Sequence, residues 1–223
     1  MRVLPRFAPL PRPHLVYDAD MKLALLAALA TGCVVTDPDR VDATWSIATL
    51  AGGATACPET WQTARLVLRD GDGGEISDEF PCGAGRGTSS HAAGTAYQAT
   101  IDMLAADGTV MASSLPASVT PGGAAASFDT TIYLDAGFAT MSWSLPPDTD
   151  CGGVDPFTGI YFAWTGPTSV TDVFTCDETT GTSSPLAAGN YHVAWSWGVG
   201  DGGSTDVAIA APNRVTVIPQ VTF

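Results

Sequence analysis

The feature that most constrains this chain is an internal duplication. Cys57 and Cys82 stand 25 residues apart, Cys151 and Cys176 stand 25 apart, and the second pair follows the first at a shift of 94. The same shift carries Phe80-Pro81-Cys82 onto Phe174-Thr175-Cys176, Leu66 and Leu68 onto Ile160 and Phe162, Tyr97 onto Tyr191, and Asp107-Gly108 onto Asp201-Gly202. "AAGTAY" (92–97) answers "AAGNY" (187–191) with one residue of slip, and "ATWSI" answers "MSWSL" at a shift of 98. A fixed period with this many landmarks in register is the mark of a tandem repeat, so whatever fold one unit adopts the other must adopt too.

Each unit reads as β. In "YQATIDM" Tyr97, Ala99, Ile101 and Met103 share one face while Gln98, Thr100 and Asp102 share the other, and "YHVAWSW" repeats this with Tyr191, Val193, Trp195 and Trp197 inward. Alternation at period two between Gly, Asp and Pro turns predicts short antiparallel strands, with no stretch of helical period after the N-terminal region. Expected strands in the first unit are 41–48, 63–69, 76–82, 97–104, 110–114 and 127–134. In the second they are 139–145, 159–165, 171–176, 191–199, 205–210 and 215–223. The junction is expected near Asp135-Ala136-Gly137, giving units at 42–135 and 136–223, each with its own core.

The short lead-in, the framework cysteine pair and the A-x-G-x-Y opening of a central strand resemble the immunoglobulin-like and transthyretin-like β-sandwich modules of bacterial surface lipoproteins. The resemblance runs over roughly 42–223 and implies an all-β fold of two tandem sandwiches. It implies no activity, since such folds host many functions. The tyrosine after the glycine is expected to make a corner-type hydrogen bond as in related sandwiches.

The cysteines brace this frame. Closing a loop of 25 residues removes denatured-state entropy worth about 3.5 kcal/mol in the chain-entropy account, a large share of the stability of a unit under 100 residues. Cys57–Cys82 and Cys151–Cys176 disulfides are therefore expected. Zinc is disfavoured, because no C-x-x-C or paired histidine accompanies the spacing.

The fifth cysteine ends an address label. "LALLAALATGC" (23–33) is too short to span a bilayer, which takes about 20 apolar residues. Met21-Lys22 supplies a minimal basic region, Leu23 to Ala30 an apolar one, and Ala30-Thr31-Gly32 a small-residue exit, the layout of a secretory signal. Asp18 and Asp20 lie directly before the apolar run, which points to Met21 as the true start. Two processing routes stay open: Ala28-Leu29-Ala30 is an A-x-A site, and Ala30-Thr31-Gly32-Cys33 resembles the lipobox of bacterial lipoproteins, whose cysteine is acylated. Cysteine arithmetic favours lipidation at Cys33, since it removes the odd thiol. Residues 1–33 are then the signal, 34–41 a linker, and the mature chain is held durably to a membrane by two or three acyl chains. The alternative is a secreted chain.

Charge narrows the partners. From Cys33 onward there is no lysine, and five arginines face 21 carboxylates, a net charge of −16. Nucleic acid is excluded as a partner, because that affinity rests on Lys and Arg neutralising phosphates. Acidity of this kind chiefly confers solubility.

Catalytic chemistry is thin. "RDGDGGE" (69–75) looks like a calcium loop, yet Gly74 stands where a third oxygen ligand belongs, and its place between two strands favours an Asp-Gly hairpin turn. Asp148, Asp150 and Asp155 in "DTDCGGVD" are weak metal candidates. His192 falls on the polar face of its strand, and His91 has serines beside it but no nucleophile elbow. No enzyme and no cofactor are expected. Among aromatics, Trp195 and Trp197 align with the core residues Ile101 and Met103, which leaves Trp61 and Tyr161 as candidates for an exposed binding surface. The expectation is an acidic, envelope-anchored lipoprotein, lodged in the outer membrane, that acts as a structural or interaction module. The alternative is a carbohydrate- or peptide-binding module, with a protein or glycan ligand.

Overall fold

Alternating side chains in the strands settle two layers in each half of the chain. The computed structural model describes residues 39–89, 92, 94–122, 125–146, 159–198 and 202–223. In chain order the first half holds β1 (Val41–Ala48), β2 (Ala54–Thr55), β3 (Thr63–Asp70), β4 (Glu75–Pro81), β5 (Arg86–Ser89), β6 (Tyr97–Leu104), β7 (Val110–Ser113), β8 (Ala117–Val119) and β9 (Ala126–Tyr133). β1 is the spine of the smaller layer: β9 runs parallel along its whole length, and β5 and β2 pair antiparallel on its other edge. The larger layer has the order β4-β3-β6, with β7 and β8 sharing the far edge of β6. Val41, Ala43, Trp45 and Ile47 point inward from β1, while Ala64, Leu66 and Leu68 of β3 and Tyr97, Ala99, Ile101 and Met103 of β6 meet them from the opposite layer.

The second half repeats the plan. It holds β10 (Ala136–Ser144), β11 (Ile160–Thr165), β12 (Ser169–Phe174), β13 (Thr180–Thr182), β14 (Leu186–Ala187), β15 (Gly189–Trp197), β16 (Gly202–Ile209), β17 (Val215–Val217) and β18 (Val221–Thr222). β10 is the counterpart of β1, flanked antiparallel by β13 and β14 and parallel by β17 and β18. The larger layer has the order β12-β11-β15-β16. Its core is built on rings: Trp143 stands 5.8 Å from Phe162 and 5.3 Å from Phe174, and Phe162 stands 6.4 Å from Trp195. The fold is thus all-β and sandwich-like, with one buried cluster drawn from Val41 to Ile132 and another from Ala139 to Val221.

Two expected strands, 41–48 and 97–104, coincide with β1 and β6. The expected final strand, 215–223, is interrupted: Pro219 has no N–H to offer β10, and pairing resumes only at Val221. The short strands β2, β5, β8, β13 and β14 lie outside the expected set.

Both halves change layer by the same device. β4 belongs to the larger layer and β5 to the smaller, and the chain crosses through a 3₁₀ turn at Cys82–Ala84. Directly across this crossing a β-carbon on Gly87 would run into the Phe80 ring. Ninety-four residues later a β-carbon on Gly181 would run into the Phe174 ring. Trp45 packs on Phe80 at 6.1 Å as Trp143 packs on Phe174, and the Trp45 and Trp143 amides donate to the carbonyls of Gly85 (2.9 Å) and Thr179 (3.0 Å), again 94 apart. The glycine is required in each repeat because the phenylalanine fills the space its side chain would take.

The halves are joined through Asn213, which is 2% exposed and sits at φ 49°, a left-handed conformation that asparagine tolerates better than most residues. Its backbone N–H donates to the Ala136 carbonyl at 2.6 Å. Its side chain reaches into the first half, accepting from the Tyr133 amide at 2.9 Å and donating to the Ser113 carbonyl at 2.7 Å. Phe138 packs edge-on against Tyr133 at 6.2 Å beside it.

Gly87→Ala and Gly181→Ala are each expected to lower stability by about 1–3 kcal/mol through overpacking against the ring. Asn213→Ala is expected to cost about 1–2 kcal/mol, because it strands a half-buried amide and a half-buried carbonyl. Urea denaturation followed by tryptophan fluorescence measures all three, and unchanged midpoints would contradict the assignments.

Candidate functional site

The residues singled out in the sequence do not gather at one place. Cys57 and Cys82 form a disulfide with Cα atoms 6.1 Å apart, and Cys176 is disulfide-bonded as well. Cys33, Cys151, Asp148, Asp150, Asp155 and His91 lie outside the described residues. Trp61 corrects the expectation of an exposed aromatic: it is 5% exposed and belongs to the first core. The segment from Cys57 to Gln62 is tied down at one end by the disulfide and near the other by the Cys82 amide, which donates to the Gln62 carbonyl at 2.9 Å, and Trp61 turns under it. Tyr161 is half-buried on β11, between the fully buried Ile160 and Phe162, so it does not share a surface with Trp61.

The polar candidates resolve into local structure. "RDGDGGE" is a hairpin turn from β3 to β4, with Asp70 Oδ1 accepting from the amides of Asp72 (3.0 Å) and Gly74 (2.7 Å). His192 Nδ1 lies 2.8 Å from Asp206 Oδ1 on the exposed face of β15 and β16, with no serine or cysteine bonded to it among the described residues. Tyr191 hydrogen-bonds the Thr168 hydroxyl at 2.6 Å, a side-chain partner rather than the backbone corner expected. Asp107 and Asp177 have pKa values held below the ordinary carboxylate range. For Asp107 the first cause is the Thr109 amide, and for Asp177 the Thr175 hydroxyl. Both are turn carboxylates. Among the described residues no cluster of three metal-ligating side chains occurs, and no helix is long and apolar enough to cross a membrane.

The outer faces of the two smaller layers differ, and that contrast defines the candidate site. On the first half, rows of side chains run across β5, β1 and β9, and they are tied to one another. Thr88 donates to Asp42 at 2.8 Å, Thr44 donates to Asp129, and Ser46 bonds Thr131 at 3.0 Å. A smaller hollow of about 350 Å³ lies over Thr44, Ser46 and Asp129. On the second half the pairing register places Thr182 and Thr180 of β13 opposite Thr140 and Ser142 of β10, with Val217 of β17 on the far side of Thr140. Through the repeat, Asp42 has become Thr140, Arg86 has become Thr180 and Thr44 has become Ser142. Of the first half's ties, that between Ser46 and Thr131 has its counterpart in Ser144 and Thr222 at 3.3 Å. Two adjoining hollows of about 620 and 560 Å³ open over this face and share Ser142, Thr180 and Glu178. The hydroxyls of Thr140, Ser142 and Thr180 bond no other described residue.

Trp143 lines the larger hollow from beneath. Its counterpart Trp45 donates its indole N–H to the Cys82 carbonyl at 2.9 Å, whereas the Trp143 indole N–H is buried with no acceptor. None of these groove residues stands out in the sequence as a motif. The available signal was the loss of charge between equivalent positions of the repeat.

No family model matches the chain, and no curated protein matches it. Among solved structures, it is similar to a candidate polysaccharide-binding protein of Bacteroides thetaiotaomicron at 8% identity, the overlap covering 71% of this chain and 76% of that one with a TM-score of 0.35. A candidate adhesin of Bacteroides ovatus overlaps at 9% identity, 71% and 72% coverage and a TM-score of 0.32. The TIE protein of Bacillus anthracis overlaps at 9% identity and a TM-score of 0.31 across 82% of this chain, which spans only 34% of that one.

The two indoles give a paired test. Trp45→Phe removes a hydrogen bond along with ring volume, while Trp143→Phe removes ring volume and an unpaired buried donor. Trp45→Phe is therefore expected to be the more destabilising by about 1–2 kcal/mol, as read by thermal unfolding of the two variants; equal losses would contradict the difference between the repeats.

Proposed function

We propose that this chain is an acidic lipoprotein of the bacterial envelope that works as a structural or interaction module, built as two tandem sandwich repeats at 42–135 and 136–223 and anchored through lipidated Cys33. Exported location is supported by the Cys57–Cys82 disulfide, which persists in oxidising compartments, together with the address label at 23–33. The observation that carries the interaction role is the outer face of the second half. The hydroxyls of Thr140, Ser142 and Thr180 have no protein partner among the described residues, and they lie at hollows large enough to receive a ligand. The frame beneath is held by the layer crossing at Phe174 and Gly181 and by Asn213, so the face is presented ready-formed. The larger volume of acidic surface keeps the module soluble at the membrane. No catalytic role is assigned to His192, whose partner Asp206 is itself solvent-facing.

The anchor is tested by labelling. The native chain is expected to incorporate labelled fatty acid and partition into detergent, and Cys33→Ala is expected to do neither. Equal partitioning of the two would remove lipid anchoring from the proposal. Peptide mapping without reduction is expected to link Cys57 to Cys82 and Cys151 to Cys176, and a link between the halves would overturn the tandem-module reading.

A further inference from the structure

We infer that the groove over β13, β10 and β17 binds a neutral saccharide, a deepening that rests on the interaction role proposed above. Three observations converge on that ligand class. The first is what the groove offers. Ser142, Thr140 and Thr180 present hydroxyls, Glu178 a carboxylate and Gln220 a side-chain amide, so acceptors and two-way donors lie within one concavity. Val217, 75% exposed, supplies an apolar patch at its edge. A pyranose has the same division, with hydroxyls around its rim and C–H groups on its faces. A volume of about 620 Å³ falls in the range of small-ligand sites.

The second observation is charge. The chain is strongly acidic, and the first half's matching face carries Asp42, Arg86 and Asp129, yet Glu178 is the single charged group among the described lining residues of the groove. An anionic ligand would meet both Glu178 and the general negative field, and a cation would find no cluster of carboxylates to hold it. A neutral ligand matches what is left.

The third is the direction of the groove, which decides between a glycan and an extended peptide. A peptide strand gains affinity by adding to a free sheet edge, where unpaired backbone groups accept it. This groove lies over the face of the layer instead, above Thr140, whose backbone is paired to Thr182 of β13 on one side and Val217 of β17 on the other, and above Ser142, which is paired to Thr180 of β13. The hydroxyl and amide side chains that line it are suited to sugar hydroxyls.

The test uses the detergent-solubilised full chain against linear neutral gluco-, manno-, galacto- and xylo-oligosaccharides, with saturation-transfer NMR for contact and titration for affinity. Binding to at least one of them is expected. The double variant Thr140→Asp/Thr180→Arg, which restores the first half's charges at the equivalent positions, is expected to weaken it by about tenfold or more, as is the near-isosteric Thr140→Val. Thr44→Ala on the first half is expected to leave it unchanged, and near-ultraviolet circular dichroism confirms that each variant is folded. Three results would overturn the inference: no oligosaccharide binds, the groove variants bind as well as the native chain, or the groove takes unglycosylated peptides in preference. The interaction role itself fails separately, if the native chain also shows no saturable binding to purified envelope and matrix material from its own source; binding there that ignores the groove variants would leave that role standing and remove the groove.

Discussion

Everything in this molecule depends on how the chain gets from one layer to the other. A sandwich needs its strands to change sheets without leaving a hole, and here each crossing is closed by a phenylalanine lying over a glycine with a tryptophan behind it. Phe80 covers Gly87 and Phe174 covers Gly181. The disulfide of Cys82 is placed one residue beyond the end of β4, so the covalent staple and the aromatic seal act on the same few residues. Remove the ring and the layers lose their spacer; add a side chain to the glycine and the ring has nowhere to sit. The repeat keeps this arrangement while much of the remaining sequence has drifted, and the rest of each core is arranged around it, with rings in both: Trp61, Tyr97 and Phe128 in the first half, Phe162, Trp164 and Tyr191 in the second.

On that shared frame the two copies have diverged at their outer faces. The first half spends its surface groups on one another, hydroxyl to carboxylate and arginine to carboxylate, with Arg40 joining Asp42 at 3.1 Å. The second half has exchanged charge for threonine and serine at the same register positions and has lost most of those internal bonds. Duplication frees one copy to maintain the structure while the other alters its surface, and the contrast between Asp42 and Thr140, or Arg86 and Thr180, is what such an outcome looks like in individual side chains. The unpaired Trp143 indole belongs to the same divergence, since its carbonyl partner in the first half has no equivalent contact in the second.

How much of this was readable beforehand depended on period. β1 could be placed to the residue because its inward and outward positions alternate over all eight residues, and a slip of one would turn every apolar side chain outward; in β6 the alternation over Tyr97–Ile101 sets the register. Strands of two to four residues, such as β2, β5, β13 and β14, contain too few alternations to show a period. Their place is set by the neighbour they pair with. Trp61 departs from its expected exposure for a related reason: in a loop, burial is decided by what the chain folds against, and its packing under the Cys57–Gln62 segment is a tertiary event with no local signature. The groove was illegible because hydroxyl residues on a strand's outer face look like ordinary solvent-facing positions until the facing strands show that their usual partners are missing.

The parallel pairing of β9 with β1 has a mechanical consequence. Tension applied between the start of β1 and the end of β9 pulls the two strands lengthwise past each other, so the bonds joining Val41–Ala48 to Ala126–Tyr133 are loaded together in shear instead of opening one at a time. In the second half the matching ladder is split by Pro219 into two short runs, three residue pairs at Phe138–Thr140 and two at Trp143–Ser144. Under stretching, the second half is the compliant element and the first the stiff one, and the first to give way is the half that carries the groove.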